Sequence, residues 1–193
     1  MIPGPTPIAD STLRAMSRQM ISHRGKEFGE ILTECTENLK KVFRTENELF
    51  ILTSSGTGAM EAAISNVIEP GDKVLCPTFG KFSKRFKLIV EAYGGVPVEL
   101  PFEWGEAPES GLIEEALEKE KDVKAVTITH NETSTGVRVT LDEISRIVKR
   151  HDTLLIVDAI SSMGGDYVPV DDWKIDICVS GSQKCFSIPP GLA

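Results

Sequence analysis

Short β-branched runs alternate along this chain with stretches of helical period, and no other feature narrows its possible folds as far. Runs at 49–54, 73–77, 96–100, 124–130, 153–159 and 176–182 read as strands. Several are continuously apolar, as strands covered on both faces are. Between them, Phe28, Ile31, Leu32, Cys35, Leu39, Val42 and Phe43 recur at three and four, and so do Met60, Ala63, Ile64 and Val67. A further helix is expected over 141–151, opened by Thr140 and Glu143 at capping-box spacing. This alternation predicts an α/β domain with a doubly wound, mostly parallel sheet and helices on both faces. Residues 1–20 read as an N-terminal arm and 21–193 as the domain.

Charge removes some function classes. The formal net charge of −8 argues against a nucleic-acid partner or an anionic membrane surface, because both carry phosphates that such a protein repels. Lys81, Lys84, Arg85 and Lys87 form the densest basic group and read as the outer face of one helix. No apolar run reaches the roughly 18 residues of a membrane span, and "MIPGPTPIADS" lacks the basic and apolar regions of a secretory signal, so a cytoplasmic protein is expected. Cys35, Cys76, Cys178 and Cys185 show no metal-site spacing and read as buried free thiols. The three histidines are too scattered for a metal cluster.

In doubly wound sheets ligands sit beyond the carboxyl ends of the strands, so the residues after each strand carry the functional reading. After the first comes "TSSGTGAMEAA", whose glycines and hydroxyls suit an anion at a helix start or an ordinary tight turn. Its third dinucleotide glycine is missing, and there is no GxxxxGK. Next, "PTFGKFSKRF" places Phe82 where it could stack on a flat ligand or join the core. "THNETSTGV" is a hydrogen-bonding loop or a solvated turn. Asp158 ends "LLIVDA", in a place that desolvates a carboxylate and therefore demands a partner. Lys184 follows the last strand in "ICVSGSQKCF", where a lysine by itself would face solvent. One ligand accounts for all five: pyridoxal 5'-phosphate needs a phosphate turn, a stacking aromatic, a polar loop, a carboxylate for its ring nitrogen and a lysine amine for its aldehyde.

The segments "SGSQKCFSIPPGLA", "IVDAISSMGG" and "SSGTGAMEAA", in this order and spacing, resemble the class V aminotransferases of fold type I. The likeness is to their alanine–glyoxylate and serine–pyruvate branch and runs along the whole chain. The resemblance implies that Lys184 forms the Schiff base with pyridoxal phosphate and later moves the substrate's α-proton. Asp158 would pair with the pyridinium nitrogen. Ile160 and Phe82 would cover the two ring faces, and Ser55, Gly56 and Thr57 would hold the phosphate, with Gln183 beside the lysine. Ser134, with Thr133 as neighbour, would bond near the phenolate side, and Gly4 would line the substrate entrance.

Cysteine desulfurases share the family, but their two characteristic histidine positions are Gln183 and Phe82 here, and Cys185 reads as packing. The resemblance further implies small amino-acid and 2-oxo-acid substrates, serine or alanine with pyruvate or glyoxylate, and a homodimer. It also implies a longer protein whose last strand, small C-terminal domain and carboxylate-gripping arginine lie beyond Ala193, so that these residues alone are expected to be inactive. Two alternatives stand beside it: an NAD-type Rossmann dehydrogenase using "SSGTG" for a pyrophosphate, and an inactive fragment.

Overall fold

The computed structural model describes residues 2–193. Its elements run α1 (Asp10–Met16), α2 (Lys26–Phe43), α3 (Gly56–Val67), β1 (Lys73–Thr78), α4 (Lys81–Ala92), β2 (Val96–Pro101), α5 (Ser110–Lys119) and β3 (Val123–Thr129). A short antiparallel pair follows, β4 (Asn131–Glu132) and β5 (Val137–Arg138), then α6 (Leu141–Val148), β6 (Leu154–Asp158) and β7 (Ile177–Val179). The five-stranded sheet has the order β2-β1-β3-β6-β7, and every pairing in it is parallel.

Alternation along the strands builds a core on each face. Val126 and Ile128 of β3 with Leu155 and Val157 of β6 pack under Ile113 of α5 and Ile144 of α6. Ala125 and Ile156, each one residue away from these in sequence, face Met60 and Ile64 of α3 and Phe86 and Val90 of α4. Each large side chain so buried contributes about 1.5–3 kcal/mol, and the two-sided burial explains why β6 reads as an unbroken apolar run and β3 as a largely apolar one. The chain leaves β1 toward β2, then returns to place β3 on the other side of β1. That reversal opens a crevice beyond the carboxyl ends of β1 and β3.

Five of the six expected strands form, with no end shifted by more than three residues. Residues 49–54 do not join the sheet. A strand needs a ladder of partners, and here only Leu52 has one, exchanging both backbone hydrogen bonds with Ala193 at 2.7 and 3.0 Å. Helix α2 forms over the expected stripe yet buries none of its residues, leaving Ile31, Leu32 and Val42 exposed. Thr140 precedes α6, but its hydroxyl does not bond to the helix, whose exposed end can be served by water. Cys76 is buried as expected, whereas Cys35 and Cys185 are exposed because both lie on surfaces that nothing covers. Among the described residues no helix is long and apolar enough to cross a membrane.

Candidate active site

The crevice is tied shut at its base by a residue that sequence reasoning passed over. Helix α4 starts after Gly80, which has no side chain to cap it, so the first amides of the helix need another acceptor. Glu132, fully buried, supplies it from across the crevice. Its carboxylate accepts the amides of Phe82 at 3.0 Å and Ser83 at 2.9 Å, and the amide and hydroxyl of Ser134 at 3.1 and 2.7 Å. Burial pushes the Glu132 carboxyl upward, but the bonds from Ser134, Ser83 and Phe82 outweigh it and hold it below its ordinary value. A Cβ on Gly80 would stand 2.4 Å from the Glu132 side chain, so only glycine lets the carboxylate pass. The Ser134 hydroxyl also accepts the Lys81 amide at 2.9 Å. Its proton goes to Glu132, and donation to a ligand would require Glu132 to release it.

Asp158 lies where its sequence position predicts, at the carboxyl end of β6 and 4% exposed. Its oxygens accept the Ile160 amide at 2.9 Å and, at a long 3.4 Å, the Thr129 hydroxyl. Burial pushes its carboxyl up to about 6, and the nearby Glu132 charge adds to the rise, against the Ile160 and Thr129 bonds and the Arg85 charge. A carboxylate so desolvated and so thinly bonded is suited to a cationic partner.

From Asp158 the site continues through Ile160 to the turn before α3. A Cβ on Gly56 would meet Ile160 Cδ1 at 2.5 Å, and one on Gly181 would meet Gln183 Oε1 at 3.3 Å and Ile160 Cγ2 at 3.4 Å. The Ser55 hydroxyl accepts the Gly58 amide at 3.3 Å as the helix cap, which leaves the Gly56 and Thr57 amides without intrahelical partners. Ser180 Oγ and Gln183 Oε1 are buried without a hydrogen-bond partner. Lys184 follows directly. Its Nζ donates to the Pro3 carbonyl at 3.3 Å, and a Cβ on Gly4 would come within 3.0 Å of it. The arm is fixed on this loop by Thr6, which donates from its amide to the Gln183 carbonyl at 3.0 Å and from its hydroxyl to the Lys184 carbonyl at 2.9 Å.

Phe82 completes the ring of contacts through a second residue that sequence reasoning misplaced. Arg85 does not share the solvated face expected for the basic group. One helical turn after Phe82, its guanidinium lies 4.9 Å from the Phe82 ring centroid and donates to the Thr57 hydroxyl at 2.9 Å. His130, by contrast, is structural: buried, bonded through Nδ1 to the Ser162 hydroxyl at 2.8 Å, and lowered by that burial to about 4. Thr133 bonds the Ser161 hydroxyl at 2.7 Å. The predicted residues thus form one connected set, from Gly4 and Lys184 through Gln183, Ile160 and Asp158 to Gly56, Thr57 and Phe82. Ser55 and Ser134 are its outer members, both exposed at the surface.

These residues fit pyridoxal phosphate on the structure's own terms. A buried, thinly bonded carboxylate, a helix start with free amides, two unpartnered polar atoms and a lysine amine occur on segments that meet at Ile160, Gly56 and Gly181. Among the described residues, no group of three metal-binding side chains offers an alternative.

Comparison with known proteins agrees. Residues 10–193 match the family model described as aminotransferase class-V. An uncharacterized aminotransferase of Methanocaldococcus jannaschii is 53% identical over 193 residues, which cover 100% of this chain and 50% of that protein. A serine–glyoxylate aminotransferase of Methylorubrum extorquens is 40% identical, with coverage of 99% and 49%. The crystal structure of a ureidoglycine–glyoxylate aminotransferase from Bacillus subtilis superposes with a TM-score of 0.96 at 37% identity, over 100% of this chain and 50% of that one. The chain therefore spans about half the length of the curated relatives it matches.

Proposed function

The chain belongs to the class V aminotransferases, and from that premise we propose that it serves a pyridoxal-phosphate-dependent transaminase. The reaction would move an amino group from serine or alanine to glyoxylate or pyruvate. The observation that carries this reading is Asp158, a buried carboxyl raised to about 6 at the end of β6, with Lys184 at the loop after the neighbouring strand β7. When bound, pyridoxal phosphate supplies an electron sink for the charge left at the substrate's α-carbon.

The chain's own residues do the rest. Asp158 holds a proton on the pyridine nitrogen, and the cation so formed offsets the cost of its own burial. Lys184 Nζ would hold the cofactor at its aldehyde carbon and, as a free amine, would be the base for the substrate's α-proton. The Gly56 and Thr57 amides, with Ser55 fixing their helix start, hold the phosphate. Ile160 and Phe82 would bound the ring faces, the Gln183 side chain would lie beside the lysine, and Ser134 keeps the polar loop in register through Glu132. Gly4 leaves room for Lys184 at the substrate entrance. The dehydrogenase reading has less support, since Ala59, Met60 and Glu61 follow Gly56-Thr57-Gly58 where a dinucleotide fold needs its third glycine. A cytoplasmic location and a homodimer belong to the same proposal, and the uncovered stripe of α2, which a second subunit would bury, supports the dimer.

Borohydride fixation of the full-length protein with pyridoxal phosphate, followed by peptide mapping, tests the reading. A pyridoxyl adduct on Lys184, absent from Lys184→Ala, is expected, together with conversion of serine or alanine when glyoxylate or pyruvate is added. An unmodified Lys184 alongside a bound dinucleotide would overturn it.

A further inference from the structure

The anion turn has a charge deficit. Residues 53–58 contain no basic side chain, and the start of α3 offers only the partial positive charge of a helix end, about half a unit. A phosphate monoester carries about −1.5 to −2 near neutral pH. Among the described residues, Arg85 is the cationic side chain bonded to this turn, through the Thr57 hydroxyl. Its neighbours on α4 are engaged elsewhere: Lys84 lies over the Trp104 ring, and Lys87 pairs with Glu99 at 2.8 Å and Glu91 at 3.6 Å. Arg85 itself is half-buried, and among the described residues its contacts are the neutral Thr57 hydroxyl and the Phe82 ring. A half-buried guanidinium held by a hydroxyl and an aromatic face, with no carboxylate paired to it, has N–H donors and a full charge to give to an anion.

The structure assigns to Arg85 a positioning role: it supplies the positive charge of the turn at 55–57 and makes the site select a ligand ending in a phosphate monoester over the same ligand without one. This rests on the cofactor reading above, since pyridoxal phosphate is the ligand concerned. Donation to Thr57 and the stack on Phe82 hold the guanidinium beside the helix start, and its remaining N–H donors and charge are left for the phosphate.

The test uses the full-length protein freed of cofactor and titrated with pyridoxal phosphate and, separately, with pyridoxal, following absorbance. Wild-type protein is expected to favour the phosphorylated ligand. Arg85→Gln should weaken pyridoxal phosphate about 10- to 100-fold, the loss expected for a charge-assisted hydrogen bond, and leave pyridoxal within about twofold. Arg85→Lys should recover part of the preference, because it keeps the charge and loses the fork. An unchanged affinity for pyridoxal phosphate would overturn the assignment, and so would an equal loss for both ligands, which marks a scaffold residue. Wild-type protein that takes up neither ligand would sink the cofactor reading first, a result visible before any substitution is made.

Discussion

Replacing Asp158 by Asn should stabilise the cofactor-free protein, and only above the pH at which the buried carboxyl ionises. The group rises from 3.8 to about 6, chiefly through burial. At about 1.4 kcal/mol per pKa unit, ionising it in place costs the folded state about 3 kcal/mol. The folded pKa is the higher of the two, so between about pH 4 and 6 the folded protein binds more protons than the unfolded chain. Wild-type stability therefore falls as pH rises through that window, and the cost is constant above it. Asn does not titrate and keeps the shape. Its carbonyl can accept the Ile160 amide, and its NH2 can reach the Thr129 oxygen now 3.4 Å from the carboxylate. Urea unfolding of both cofactor-free proteins should show equal stability near roughly pH 4 and an advantage of up to about 3 kcal/mol for Asp158→Asn near pH 7.5. A variant less stable by the same amount at both pH values would refute the reasoning, because the carboxylate would then be satisfied rather than waiting for a cation. The gain comes at the site's expense, since the variant should lose most transaminase activity while still taking up cofactor.

Gly80→Ala should destabilise the fold by about 2–3 kcal/mol in urea unfolding, since its φ of 173° suits any residue and the cost is the collision with Glu132 and Ser134. Gly29→Ala, inside α2 with nothing within 4 Å of the added carbon, should instead stabilise by about 0.5–1 kcal/mol in the same assay. Glu132→Gln removes an ionised acceptor of four bonds and should cost about 3 kcal/mol. Because the wild-type carboxyl is held below its ordinary value, that loss should be fully present at neutral pH and shrink as acid protonates Glu132. It should also lower the Asp158 pKa, read as a shift of the wild-type stability window to lower pH.

The sheet was legible because pattern and burial coincide: β6 is apolar at every interior position, β3 is buried at every position but Lys124, and both faces of the sheet require it. Strand status for 49–54 was not legible, because it depends on a neighbouring ladder, and its apolar composition says only that the segment seeks cover. Lys184 and Asp158 could be read as strand-end residues once the order of the runs was known, and the Gly56 turn was legible as a helix start although the strand expected before it does not form. Arg85 was misread for a local reason: it is adjacent to Lys84 in sequence, but three residues from Phe82 on the helix, and that spacing turns the guanidinium inward. Glu132 left a fainter signal. A helix start without a capping side chain, at "FGKF", demands an acceptor from elsewhere, and an acid just after a buried strand is a donor-poor residue in search of amides.

The charges of the site follow one order across the crevice. Glu132 is ionised and fully bonded, so it is spent on structure and its field disfavours a second negative charge at Asp158. Asp158, raised chiefly by its burial and further by that field, waits for a cation to offset its charge. Arg85, bonded to Thr57 and stacked on Phe82, lies toward the anion turn and eases Asp158 in the opposite sense. A ligand with a cationic ring nitrogen at one end and a phosphate at the other relieves both groups together, whereas a neutral or wholly anionic ligand relieves at most one. On the proposed reading, selectivity for such a dipolar cofactor would rest on residues of α4, β4 and β6, and it would be set before any substrate enters.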